Sequence, residues 1–347
     1  MKSRTLFIKI AISLGMLAVL FIRVPWAELG DSVRSMRAGY VAVTVALSFV
    51  LVASSCAKWW MILRMTGHRV PFLTLYRWYF VGYFYSNFLP SNVGGDVARV
   101  WLAGRRIGSQ RDSLVAVFAE RFTGMLFLLL MVILSPMLNR GLWRHPALWI
   151  PALAAVAILL GMLIAVLGFR WIQRSGRGAR LMSGFRRIAR LDRDSRWTRG
   201  FDRIAAKLES FAGRAGLFFT LLRKRPSAFW SVTGITALFY LLTVLNISVT
   251  CRAFGVWPDL RDVATVLPAA LFVASMPIAL GSLGLAEGAY VYYFGLVGLP
   301  GGLILAMGIL LRLKIFMLSL VGLVVQMREP IHPIPASHGG SDDEPSI

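Results

Sequence analysis

Residues 87–102 read NFLPSNVGGDVARVWL. They follow the aromatic-rich run YRWYFVGYFYS (76–86). Within them stand Pro90, Asn92, Gly94, Gly95, Asp96 and Arg99. Proline removes a backbone donor and clashes with the preceding turn, and paired glycines weaken a helix further. The spacing predicts that one helix ends near Pro90 and another begins near Gly95. The break frees backbone N–H and C=O groups, and in lipid each costs several kcal/mol unless it finds a partner. A break here is tolerable only where it lines a polar cavity or is buried in protein.

The rest of the chain indicates that the surroundings are indeed lipid. Of 347 residues, 57% are hydrophobic and 16% charged, against roughly 25% charged in an average soluble domain. Mean hydropathy is +0.67. The net charge is +22, but the basic residues lie between apolar runs, as in cytoplasmic loops facing anionic lipid. Nucleic acid is therefore excluded as a partner. Cys56 and Cys251 fall in or at the end of apolar runs, and His68, His145, His332 and His338 show no ligand spacing. Neither a disulfide nor a metal site is expected. PSNVGGD lacks the Gly-Lys-Ser/Thr ending of a phosphate-cradling loop, and no cofactor is expected. The N-terminal stretch MKSRTLFIKIAISLGMLAVLFI has the charge order of a signal peptide without a small-x-small cleavage site. It reads as an uncleaved first transmembrane helix.

A helix needs about 20 apolar residues to cross the hydrocarbon core. Full crossings are expected at 5–23, 39–65, 112–136, 147–169, 228–251 and 302–326. Two further apolar stretches, 71–89 and 264–280, end in Pro/Gly-rich segments and are followed by short helices at 95–106 and 285–298. Lys2 and Arg4 place the N-terminus in the cytoplasm, and so do Arg99, Arg105, Arg106 and Arg111 for segment 99–111. Loop 170–225 carries sixteen basic residues against four acidic ones. These charges are satisfied together if 71–106 enters from the cytoplasm and turns back, and 264–298 does the same from outside. The expected fold is all-α: a polytopic membrane helix bundle with six full crossings and two re-entrant hairpins, or eight crossings if 71–89 spans. Both termini are then cytoplasmic.

The chain reads as a single domain, 1–330, with a basic cytoplasmic loop at 170–227 and a disordered tail at 331–347. Within the loop, Phe201, Ile204, Leu208 and Phe211 recur at helical spacing, away from Arg203, Lys207 and Arg214. That pattern fits an amphipathic helix, lying on the inner leaflet or packed against helix ends.

The segment MPIALGSLGLAEGA (276–289) echoes LPSNVGGDVAR (89–99). In each, a proline is followed after three residues by a glycine, and a glycine or acidic residue comes before helix resumes. Paired breaks inserted from opposite faces are the logic of an inverted repeat with a site near the midplane. The candidate substrate-binding residues are Pro90, Asn92, Gly94, Gly95, Asp96, Arg99, Glu120, Arg121, Gly281, Gly284, Glu287 and Arg312. Charged side chains inside apolar runs usually face a cavity or a partner, whereas Lys9 and Lys58, nearer helix ends, are read as snorkelling. The helix start near Gly95 presents free N–H groups suited to an anion such as a lipid phosphate. Other readings stand beside these. Asp96 caps that helix or pairs with Arg99, Glu120 and Arg121 form a structural lock, Arg312 neutralises Glu287 or Glu120, and Gly281, Gly284 and Gly288 allow close packing.

The P-x3-GGD-x-x-R segment, the following AERFTG (119–124) and the late P-x3-GSLGLAEGA resemble the lysylphosphatidylglycerol synthase transmembrane family of flippase-like proteins. The resemblance spans about residues 5–326, with Ser282 where a second glycine often stands. It implies a bacterial inner-membrane protein that moves a lipid or lipid-linked molecule between leaflets. The aminoacyltransferase domain of some relatives is not expected after the last helix, so lysyl transfer is not expected either. The expected function is a non-enzymatic translocase for an anionic lipid or lipid-linked substrate, acting through a polar intramembrane cavity. The alternatives are a membrane enzyme acting on a lipid-linked substrate and a lipid-binding scaffold. Anionic membrane lipids are the other expected partners, and a homo-oligomer stands open.

Overall fold

The computed structural model describes residues 34, 36–88, 94–143, 145–175, 226–276 and 284–328. The expected helix 5–23, the amphipathic stretch of the basic loop, the tail, and Pro90, Asn92, Pro277 and Gly281 lie outside the described residues. Among the described residues every regular element is a helix. They are α1 (Ala38–Met65), α2 (Phe72–Phe88), α3 (Gly94–Ile107), α4 (Gln110–Leu134), a 3-10 turn (Ser135–Leu138), α5 (Pro146–Ser175), α6 (Pro226–Ala253), α7 (Leu260–Ala274), α8 (Leu285–Gly295) and α9 (Gly301–Arg328).

Five of these are long and apolar enough to cross a membrane: Ala38–Met65, Gln110–Leu138, Pro146–Gly168, Ser227–Ala253 and Gly301–Arg328. They coincide with five of the six expected crossings. The helices flanking the breaks are shorter: α2 has 17 residues, α3 14, α7 15 and α8 11. Each falls below the roughly 20 residues of a full span.

Local chemistry sets the boundaries. Gly108 adopts φ 72°, a conformation strained for other residues, and so ends α3. Ser109 then caps α4, its hydroxyl accepting from the Asp112 N–H at 3.2 Å. Asp259 caps α7 in the same way, accepting from Arg261 N–H at 2.8 Å. That cap starts α7 four residues before the apolar run that marked it in the sequence, and Pro268 is accommodated inside the helix.

The two halves repeat one plan. The interval from Ala38 to Pro226, where α1 and α6 begin, equals that from Phe72 to Leu260, where α2 and α7 begin. The interval from Gly94 to Leu285, where α3 and α8 begin, equals that from Gln110 to Gly301, where α4 and α9 begin. The contacts repeat as well. α2 packs on α3 as α7 packs on α8, α3 on α4 as α8 on α9, and α1 on α4 as α6 on α9. Across the halves, α9 packs on α2 and α4 on α7, while α1 packs on its own counterpart α6. The N–H of Arg37, just before α1, donates to the Ala253 carbonyl at the end of α6 at 2.7 Å. Corresponding helices α1 and α6 therefore run antiparallel, as an inverted repeat requires.

The packing cores follow the same division. One surrounds Trp59, Leu75, Tyr79, Ala116 and Phe122 from α1, α2 and α4. The other surrounds Cys251, Leu267, Phe294 and Met307 from α6 to α9. A third, with Leu129, Val132, Ala155 and Phe272, joins α4 and α5 to α7. Glycine permits the closest approaches. A Cβ on Gly95 would overlap the Gly82 carbonyl and the Ser86 hydroxyl, and one on Gly322 would overlap the Phe80 carbonyl.

Candidate functional site

Four of the predicted residues converge where α3 meets α4. Arg99, only 1% exposed, donates to Glu120 Oε2 at 2.9 Å and to Asp96 Oδ1 at 2.5 Å. Tyr79 of α2 donates its hydroxyl to the other Glu120 oxygen at 3.1 Å. The Arg99 guanidinium also lies over the rings of Tyr79, at 4.3 Å, and Trp59, at 5.2 Å. Such planar stacking with two carboxylates suits arginine and not lysine. Arg121 reaches back to Asp96, donating through Nε at 3.1 Å and through Nη2 at 2.9 Å. One carboxylate thus joins two arginines of contrasting exposure, since the Arg121 side chain is 56% exposed.

The second half carries a simpler version. Gly284, at φ 77°, begins α8, and its N–H donates to Glu287 Oε2 at 2.9 Å. The other Glu287 oxygen accepts from Arg312 Nε. Arg312 therefore pairs with Glu287 and not with Glu120. In both halves an acid in the first turn after the break meets an arginine 25 positions later. Arg312 is also partly exposed, at 41% of its side chain. The two charged sets are not hydrogen-bonded to one another among the described residues. The halves meet nearby through Asn87 of α2, whose amide donates to the Ser319 hydroxyl of α9.

Other polar residues also take defined places: Lys314, like Arg312, reads in the sequence as a charge inside an apolar run that faces a cavity or a partner. Tyr79 lies in an aromatic run that reads as packing or interfacial belt. Lys58 does not stand free at a helix end: it is 5% exposed, with its ammonium against α4 beside Gly124. Lys314 is 3% exposed and donates to Thr44 Oγ1 at 2.7 Å, Asn246 Oδ1 at 2.8 Å and Thr250 Oγ1 at 3.2 Å. This ammonium ties α9 to α1 and α6 through neutral oxygens alone. Among the described residues no group of three His, Cys, Asp or Glu could hold a metal ion.

A family model described as the lysylphosphatidylglycerol synthase TM region matches residues 6–322. The chain belongs to this family. The lysylphosphatidylglycerol synthase transmembrane match takes in both breaks and both acid–arginine pairs. The chain is also 22% identical over 321 residues to a UPF0104 membrane protein of Methanothermobacter thermautotrophicus, covering 91% of this chain and 93% of that relative. No solved structure matches.

Proposed function

We propose that the chain is a multi-pass translocase of the cell membrane that moves an anionic lipid or lipid-linked molecule between leaflets, without chemistry on it. The observation that carries this reading is the repeated pair, Asp96–Arg121 and Glu287–Arg312, set in antiparallel halves just after each helix break. Paired broken helices in inverted repeats are how membrane transporters build a site near the midplane. On this reading 71–106 dips in from the cytoplasm and 264–298 from outside. Each half then offers one partly exposed arginine, held in place by a carboxylate.

Arg121 and Arg312 are the residues that exchange carboxylate for the substrate's anionic group, which they bind through charge-assisted hydrogen bonds. Arg99 and Glu120 have too little exposure for that and act as the fixed charged wall behind Arg121. The acyl or polyprenyl chains stay in lipid, so only the headgroup needs a polar path. Asp96 and Glu287 keep each arginine oriented and neutralised when no substrate is bound.

The test is headgroup movement in vesicles of phosphatidylcholine and phosphatidylglycerol carrying a headgroup-labelled reporter of each lipid. The purified chain accelerates exchange of the anionic reporter, and Arg121→Ala or Arg312→Ala abolishes the acceleration. Exchange unaffected by both substitutions removes these arginines from the path.

A further inference from the structure

Among the described residues, Lys58 is the one cation of the first charged cluster with no hydrogen-bond acceptor. It lies within α1 at 5% exposure. Its ammonium faces α4 beside Gly124, where an added Cβ would stand 3.4 Å from Nζ. Glu120, Arg121 and Arg99 lie within its electrostatic reach. Yet among the described residues no acceptor hydrogen-bonds Lys58. Both Glu120 oxygens are engaged, by Arg99 and by Tyr79. Both Asp96 oxygens are engaged by Arg99 and Arg121.

A lysine this largely buried, with no acceptor for its ammonium among the described residues, is costly within a membrane. Two neutral donors beside the cluster are also unused. The Trp59 indole N–H is buried without an acceptor, and the Tyr83 hydroxyl, within electrostatic reach of Arg121 and Arg99, has none among the described residues. The charges do not balance either: Arg99 and Arg121 are paired with Asp96 and Glu120, and Lys58, which has Glu120 as its nearby carboxylate, adds a third cation to those two carboxylates.

The repeat supplies an internal control. Lys58 and Thr123, on α1 and α4, stand at the same repeat intervals as Asn246 and Lys314, on α6 and α9. Each half therefore puts one lysine at this helix contact. In the second half, Thr44, Asn246 and Thr250 satisfy it. In the first, the corresponding Thr123 hydroxyl bonds its own backbone, at Ala119 and Glu120, and the ammonium is left over.

We infer that Lys58 is a substrate-binding residue whose missing acceptor is a singly charged phosphodiester, the surplus positive charge and the unused donors being completed by one anionic lipid headgroup beside Arg121. The inference rests on the translocase reading for its setting. A pyrophosphate would overcharge the site, and a zwitterionic headgroup would bring a second cation into a cluster already one positive charge in excess.

Direct binding to the purified full-length chain in detergent tests this apart from transport. The titrants are phosphatidylglycerol, phosphatidylcholine with the same acyl chains, and inorganic phosphate. Phosphatidylglycerol binds the wild-type chain more tightly than the other two. Lys58→Met weakens that binding about tenfold or more, and Lys58→Arg retains it. Equal binding by wild type and Lys58→Met overturns the inference, as does equal affinity for the two lipids. Inorganic phosphate binding as tightly as phosphatidylglycerol overturns the lipid as the anion's source. Should Lys58→Met fail to fold, Gly124→Ala keeps the charge but sets a methyl beside the ammonium. It also weakens phosphatidylglycerol binding, and unchanged affinity there counts against the site. Lysine-dependent binding stands even if vesicles show no lipid movement. Lipid movement that survives Lys58→Met defeats this inference alone.

Discussion

Arg121 grips Asp96 through two of its nitrogens, at 3.1 and 2.9 Å, across the same 25-residue reach by which Arg312 meets Glu287. The first pair sits beside a fully buried partner, Arg99, and the second does not. The two halves thus share a device and differ in how firmly it is backed.

Asp96 keeps Arg99 as a partner when Arg121 is removed, and the Arg121 side chain is itself 56% exposed. Arg121→Ala is therefore expected to leave the melting temperature of the purified protein close to wild type, while the anionic headgroup exchange falls about tenfold or more. A large loss of stability would make the Asp96–Arg121 pair structural.

Arg99 and Glu120 behave differently because both are buried, at 1% and 4% exposure. Removing one partner strands the other's charge, at a cost of about 3–5 kcal/mol. Glu120→Ala and Arg99→Ala are each expected to lower the melting temperature strongly. Arg99→Met combined with Glu120→Leu is expected to recover most of that loss, as removing a whole buried pair often does. Thermal unfolding in detergent measures all three.

Lys314 offers the converse case. Its charge is held by neutral oxygens, so Lys314→Met deletes the buried charge and its demand for acceptors together. Asn246→Ala instead keeps the charge and removes an acceptor, a loss of about 1–3 kcal/mol. Asn246→Ala is expected to destabilise more than Lys314→Met in the same unfolding assay.

Gly322→Ala tests the cross-half contact. Its methyl would run into the Phe80 carbonyl of α2, which is backbone and cannot swing aside. Overpacking of this kind costs about 1–3 kcal/mol or more. Gly234→Ala, where nothing stands within 4 Å, is the matched control and is expected to be neutral.

Much of this plan was legible in the sequence, for definite reasons. Long apolar runs announce helices directly, and five spans fall where hydropathy puts them. Pro90 with Gly94–Gly95, and the Gly281–Gly284 stretch before Glu287, predict breaks because proline and glycine disfavour helix, and the helices on either side end at Phe88 and Ala274 and resume at Gly94 and Leu285. Asp96 with Arg99 was readable as a pair from its one-turn spacing. Arg121 reaching Asp96 was not, because that contact depends on how α4 lies against α3. Lys58 was misread for a similar reason. Its position toward the end of α1 suggests a side chain that can reach water, but burial is decided by which neighbours cover that face. Asn246, Thr44 and Thr250 gave no signal, since a lone polar residue in an apolar helix does not name its partner 202 or more positions away.

The most direct test of the account is the side from which each break is reached. In a chain with Cys56 and Cys251 replaced by alanine, single cysteines at Ser91 and Ser282 are treated with a membrane-impermeant thiol reagent in vesicles of known orientation. The account predicts labelling of Ser91→Cys from the cytoplasmic face only and of Ser282→Cys from the opposite face only. Labelling of both from one face would contradict the inverted arrangement and the translocation path built on it.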